Sequence, residues 1–134
     1  MARAERANPP TVLHFQVLHP TGHSGGTPGL RVKIEKSLEM LEKANKLKSN
    51  DPFIIDSLGW ALFKLERYQE SKSYLQIAVK LMPADPIVND HYGDVLWKNG
   101  NVIQARYYWN YVLNLEKAEK DLKEKVQKKL IKGL

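Results

Sequence analysis

From Val32 onward, apolar residues return every third or fourth position, and the polar residues between them divide the chain into helices. Val32, Ile34, Leu38, Leu41, Ala44 and Leu47 keep helical spacing up to Lys48. Asn50-Asp51-Pro52 then reads as a helix start, with Asp51 as N-cap and Pro52 in the first helical position. One helix follows from Pro52 to Lys64, and Glu66-Arg67 turns into a second from Tyr68 to Leu81. Met82-Pro83-Ala84-Asp85-Pro86 ends that pair and begins the next. The next pair spans Pro86 to Lys98 and Val102 to Leu115, with Asn99-Gly100-Asn101 as its turn. A last helix is expected from about Lys117 to Lys132, its apolar stripe formed by Leu115, Ala118, Leu122, Val126 and Leu130. The pattern predicts an all-α protein of six helices.

These helices repeat. Asp51-Pro52 recurs as Asp85-Pro86, Gly59 as Gly93 and Leu75 as Trp109, each 34 positions apart. Leu58/Tyr92, Ala61/Val95, Leu62/Leu96 and Ala78/Val112 follow the same period. A helix pair repeating at this interval buries its apolar face only by stacking on a neighbour, which predicts an α-solenoid of antiparallel pairs.

Composition divides the chain in two. Residues 1–30 hold four of the eight glycines, four of the seven prolines and three of the four histidines, whereas all sixteen lysines lie from Lys33 onward. HPTGHSGGTPG at 19–29 has neither strand nor helix period and buries too little to offset its ordering entropy. The expectation is therefore an irregular or disordered segment at 1–30, with Thr11–Leu18 as a short helix or strand, and a helical domain at 31–134. Absence of cysteine excludes disulfides, thiolate metal sites and a cysteine nucleophile. No run approaches the length of a membrane-spanning helix, and the N-terminus lacks the apolar core of a secretory signal; a cytoplasmic location is the default expectation.

The residues at fixed positions of the 34-residue unit resemble the tetratricopeptide repeat family. Counting from Pro52, Ile55, Leu58-Gly59, Leu62, Ser71, Leu75, Ala78 and Pro83 occupy its signature positions. Counting from Pro86, the same positions hold Asn89, Tyr92-Gly93, Leu96, Ala105, Trp109 and Val112, with Lys117 where the last proline belongs. The phrases DSLGWALFKLERYQES and NDHYGDVLWKNGNVIQA look like C-terminal units of bacterial members. Extending backwards, Ser37, Leu41, Ala44 and Ser49 fall in register, so residues 33–48 look like the second helix of an earlier unit. The resemblance thus implies a half unit at 31–50, units at 51–84 and 85–116, and a capping helix at 117–132. The first helix of the half unit would fall on the Gly/Pro-rich stretch, with a weak echo of it at Asn8–Leu13. The chain is therefore expected to be the C-terminal part of a longer array, with an N-terminal helix edge open to dimerisation.

In this family the first helices of successive units line a concave groove. Carried over by position, its lining is Phe53, Asp56, Trp60, Phe63 and Lys64, then Ile87, Asp90, Asp94, Trp97 and Lys98. Aromatic anchors flanked by charges suit a peptide or helix of a partner protein. The same aromatics also read as plain packing between repeats. Some members grip a terminal carboxylate with lysine and asparagine, but Asp56 and Trp60 stand at those positions, so a basic or amide-rich partner is expected instead.

Three other patterns fit structural roles better than chemical ones. His91 and Asp94 share a helix face but lack a third metal ligand, and His14, His19 and His23 fall in the irregular segment; no metal, cofactor or catalytic residue is expected. The run Tyr107, Tyr108, Trp109 and Tyr111 fits core and outer surface rather than base stacking. Seven lysines of the last helix interleave with Glu116, Glu119, Asp121 and Glu124, the pattern of a solvated cap rather than a nucleic-acid or membrane surface. The chain is expected to be a non-catalytic protein–protein interaction scaffold, or else a structural fragment of a larger or self-associating assembly.

Overall fold

The two Asp-Pro steps each open a helix by the same hydrogen bonds. Asp51 Oδ1 accepts from the backbone N–H of Phe53 at 2.9 Å and of Ile54 at 3.3 Å. Asp85 Oδ1 does the same for Ile87 at 2.9 Å and Val88 at 3.0 Å. Each cap satisfies two donors that a helix start would otherwise leave orphaned, a contribution of about 1 kcal/mol. The computed structural model describes residues 28–134. The irregular segment, Thr11–Leu18, the Asn8–Leu13 echo, and His14, His19 and His23 lie outside them, apart from the segment's last three residues.

Among the described residues there are six helices and no strand: α1 (Pro28–Leu47), α2 (Pro52–Lys64), α3 (Tyr68–Leu81), α4 (Pro86–Lys98), α5 (Val102–Leu113) and α6 (Lys120–Lys132). Each helix packs on the next in chain order, most closely within the pairs α2–α3 and α4–α5. Two boundaries differ from the sequence reading. α1 takes in Pro28, Gly29 and Leu30, where an irregular segment was expected. Proline is favoured at a first helical turn because its missing N–H would be unpaired there, and Leu30 packs against the α1–α2 core. At the other end α5 stops at Leu113 and α6 starts at Lys120, three residues later than expected. Leu115 and Ala118 still pack into the core, from a turn whose amides bond back three residues, Leu115 to Val112 and Ala118 to Leu115.

Both pairs close on the same crossing. An ideal Cβ on Gly59 would sit 2.6 Å from Leu75 Cγ, and one on Gly93 would sit 2.5 Å from the Trp109 ring. Hydrogen is the one side chain that admits these neighbours. Ser71 uses the first crossing to donate its hydroxyl to the Gly59 carbonyl at 2.6 Å, and Ala105 occupies the matching place in the second. The core falls into two groups. Ile34, Leu38 and Leu41 of α1 meet Leu58, Ala61 and Leu62 of α2, while Leu75, Val88, Val95, Trp109, Val112 and Val126 join α3 to α6. Phe63 and Tyr74 touch both.

The turns match as well. After α2, Arg67 N–H bonds to Leu62 O at 2.9 Å; after α4, Asn101 N–H bonds to Leu96 O at 2.8 Å. This six-to-one closure needs a left-handed residue just past the helix. Gly100 supplies it at φ 85° without cost, but its counterpart Glu66 holds φ 62°. Glu66→Gly is therefore expected to raise stability by about 0.5–1 kcal/mol after the extra freedom of the unfolded chain is counted, and Gly100→Ala to lower it by about 1 kcal/mol. Urea midpoints at unchanged slope measure both; a loss for Glu66→Gly would contradict the argument.

Candidate binding face and its buried charge cluster

α2 and α4 approach each other side by side, and the residues expected to line a groove sort into two groups. Asp56, Trp60, Lys64, Asp90 and Asp94 are buried. Phe53, Phe63 and Trp97 are half-buried, and Ile87 and Lys98 are exposed. The acids do not stand ready on an open surface; partners from elsewhere in the chain satisfy them.

Asp56 of α2 takes a hydrogen bond from His91 Nδ1 of α4 at 3.0 Å. The His91 ring stacks on Trp60 with centroids 3.9 Å apart, and Trp60 stacks on Phe63 at 4.6 Å. Three near-parallel rings therefore bridge the two helices, with the ion pair at one end. Burial alone would depress the His91 pKa, but the charge and hydrogen bond of Asp56, then Asp90 and Asp94, outweigh it and raise it above 6.5. The sequence paired His91 with Asp94 as a conceivable metal site. The structure turns His91 to Asp56 and gives Asp94 other partners, and no group of three ligating side chains forms among the described residues.

Those other partners come from α5 and α6. Trp109 Nε1 donates to Asp94 Oδ1 at 3.1 Å. Lys129 of α6 reaches across to Asp90 Oδ1 at 2.8 Å and to the two Asp94 oxygens at 2.9 and 3.1 Å. Burial, then repulsion from Asp90, pushes the Asp94 pKa up to about 7, with Lys129 and His91 pulling it back. Lys129 itself is held above its ordinary value, because Asp94 and Asp90 outweigh its own burial. Lys64, at the end of α2, is driven down to about 8 by burial, partly offset by Asp94. It also lies 5.9 Å from the Trp60 ring.

On the rim, Lys98 sits 5.9 Å from the Tyr68 ring, beside a shallow cleft of about 560 Å³ that Arg67, Glu70 and Asn99 also line. The Arg67 guanidinium is already doubly bonded to Glu70, at 2.7 and 2.9 Å. Trp97 stacks on Trp109 at 5.4 Å and carries Arg106 over its ring at 5.8 Å.

Sequence reading placed Lys129 on a solvated cap and gave His91 a structural role without naming a partner. The missed signal is a spacing of 35. A 34-residue period sets equivalent helices side by side, and Asp56 with His91 and Asp94 with Lys129 are each 35 apart. The chain matches no family model and no curated protein.

Proposed function

We propose that the chain is a protein–protein interaction module built of tetratricopeptide-like helix pairs, an α-solenoid segment that binds an extended or helical piece of a partner across α2 and α4. The observation that carries this reading is the duplicated architecture. Two helix pairs 34 residues apart share the same Asp cap, the same glycine crossing and the same turn closure, and their first helices stand next to each other. That arrangement suits recognition: aromatic area from Phe53, Phe63 and Trp97, with Ile87 and Lys98 at the rim.

The neutralised acids narrow the partner. Asp56 is satisfied by His91, and Asp90 and Asp94 share Lys129, so a basic segment meets buried, already bonded carboxylates while α6 is in place. What stays accessible is apolar and aromatic surface beside Lys98, which favours an apolar segment carrying a carboxylate or amide. A basic or amide-rich partner gains its carboxylates once Lys129 leaves.

The test uses the full chain as bait beside Phe53→Ala/Ile87→Ala/Lys98→Ala. These three sites are partly or fully exposed, so the variant is expected to keep its far-UV helicity. Loss of a captured protein by the variant supports binding on this face. Equal capture by both moves the interface elsewhere, and the reading falls.

A second reading keeps the same repeat identity but assigns a structural role, in which the face is filled from within. Lys129 on Asp90 and Asp94 favours it, since α6 of the same chain already occupies the α4 side. Self-association through α1 belongs to this reading too, as Met40 and Leu47 there are 69% and 90% exposed. Sedimentation velocity on Met40→Glu/Leu47→Glu separates the two: a dimer lost in the variant supports it, and a monomer in both rejects it.

A further inference from the structure

Charge under α6 is shared unequally. Asp90 and Asp94 stand one helical turn apart on α4, both buried, and the single ammonium of Lys129 bonds to both. The other groups facing Asp94 are His91 from α4 and Lys64 from α2, with Asp56 of α2 engaged by His91; α5 contributes the Trp109 N–H. Two carboxylates thus divide one lysine in a space that α6 helps to close. Besides Lys129, α6 is held by a few apolar residues, by one backbone contact and by Gly133 at its C-cap, which packs against the Trp97 ring. Val126 is its one fully buried residue, Leu122 and Leu130 are half-buried, and the Leu130 carbonyl accepts from Arg106 at 2.7 Å. Its connection to α5, residues 114–119, is not helical.

We propose that α6 is a latch on the α4 face, bolted by Lys129 and released as pH rises, so that opening turns Asp90, Asp94 and Trp97 into an acidic, aromatic site. Closed, with both carboxylates ionised, the latch holds an excess negative charge away from water; open, both are hydrated. The direction follows from proton linkage. Buried Asp94 keeps its proton up to about pH 7, whereas a hydrated carboxyl loses it near pH 4. Between those values the closed form binds more protons than the open one, so opening becomes easier with each rise in pH. His91 keeps its Asp56 partner on α2 whether α6 is closed or open, so Asp94 sets the direction. Lys64 works in the opposite sense, but only above about pH 8, so the window of release runs from about pH 4 to about pH 7.

The chain has no cysteine, which permits spin labels at two introduced ones, Ile103→Cys on α5 and Ile131→Cys on α6; these sites are 85% and 81% exposed. Double electron–electron resonance on the full chain is expected to give one short separation at pH 5.5. A longer population should grow towards pH 7.5, by about tenfold for each pH unit up to about pH 7, the slope carried by one differentially bound proton. Asp94→Asn keeps acceptors for Trp109 and Lys129 but removes the surplus charge, and should hold the short separation at both pH values. Lys129→Met should show the long one at both. An unchanged distribution in the parent at both pH values, with Asp94→Asn identical to it, overturns the proposal even if Lys129→Met fails to fold. The readout is helix position alone, so the outcome does not depend on whether the face binds a partner.

Discussion

Trp109→Ala should cost about 3–5 kcal/mol, the range for deleting a fully buried large aromatic. The indole is completely buried, sits against Gly93, stacks on Trp97 and donates to Asp94. Its loss opens a cavity at the second crossing and strips a hydrogen bond from a buried carboxyl. Gly93→Leu attacks the same contact from the other side. Its Cβ would lie 2.5 Å from the ring, so the helices must part, at about 3 kcal/mol or somewhat more. The double variant decides whether this one contact is responsible. With the indole gone, the added leucine fills the space it left, and the double variant should be more stable than the sum of the two single losses by at least about 1 kcal/mol. Urea unfolding with unchanged slope measures all three. Strict additivity would mean that Gly93 and Trp109 do not form the crossing.

This crossing was legible in the sequence because it depends on residue type at a fixed interval: a glycine 34 residues from a glycine, and large residues 16 positions after each. Helix starts were legible for the same reason, since an aspartate followed by proline is a local signal. What escaped was non-local or silent in composition. The break between α5 and α6 has no glycine or proline, and Leu115, Ala118 and Leu122 keep a helical rhythm straight through it. Glu66 gives no sign of a left-handed backbone; its status follows from standing where Gly100 stands. α1 reached back to Pro28 because a proline that punctuates one segment can also open the next. For the candidate face, the positions were legible but not their occupancy. The aromatic and acidic residues could be placed on first helices, while the cations that satisfy the acids come from the next first-position helix or its counterpart, 35 residues on. Amphipathic pattern marks Lys129 as surface. A lysine whose stem lies over a helix and whose head meets two carboxylates has the same sequence pattern as a solvated one.

The second large effect concerns the pair at the other end of the ring stack. Asp56→Ala should cost about 3–5 kcal/mol near pH 6, because it leaves His91 buried without its counter-ion. The cost should shrink as pH rises, and the sign is fixed by linkage. His91 in the folded chain has a pKa above its ordinary 6.5, with Asp56 the leading cause that overcomes burial. The stabilisation from this pair is therefore complete below pH 6.5 and is lost as pH climbs through the raised folded value. At alkaline pH the histidine is neutral in the parent too, and the variant gives up little more than one hydrogen bond, about 1 kcal/mol. Asp94, Lys129 and Lys64 titrate in both proteins, so subtracting the two stability curves largely isolates the Asp56–His91 contribution. Replacing both partners, Asp56→Leu/His91→Phe, keeps a ring against Trp60, whose centroid lies 3.9 Å from that of His91. That double variant should recover most of the loss and flatten the difference curve, because an apolar pair of similar volume avoids burying charge. A cost for Asp56→Ala that stays constant from pH 6 to pH 9 would show that His91 is uncharged in the folded chain. The ring stack, rather than the ion pair, would then hold α2 against α4.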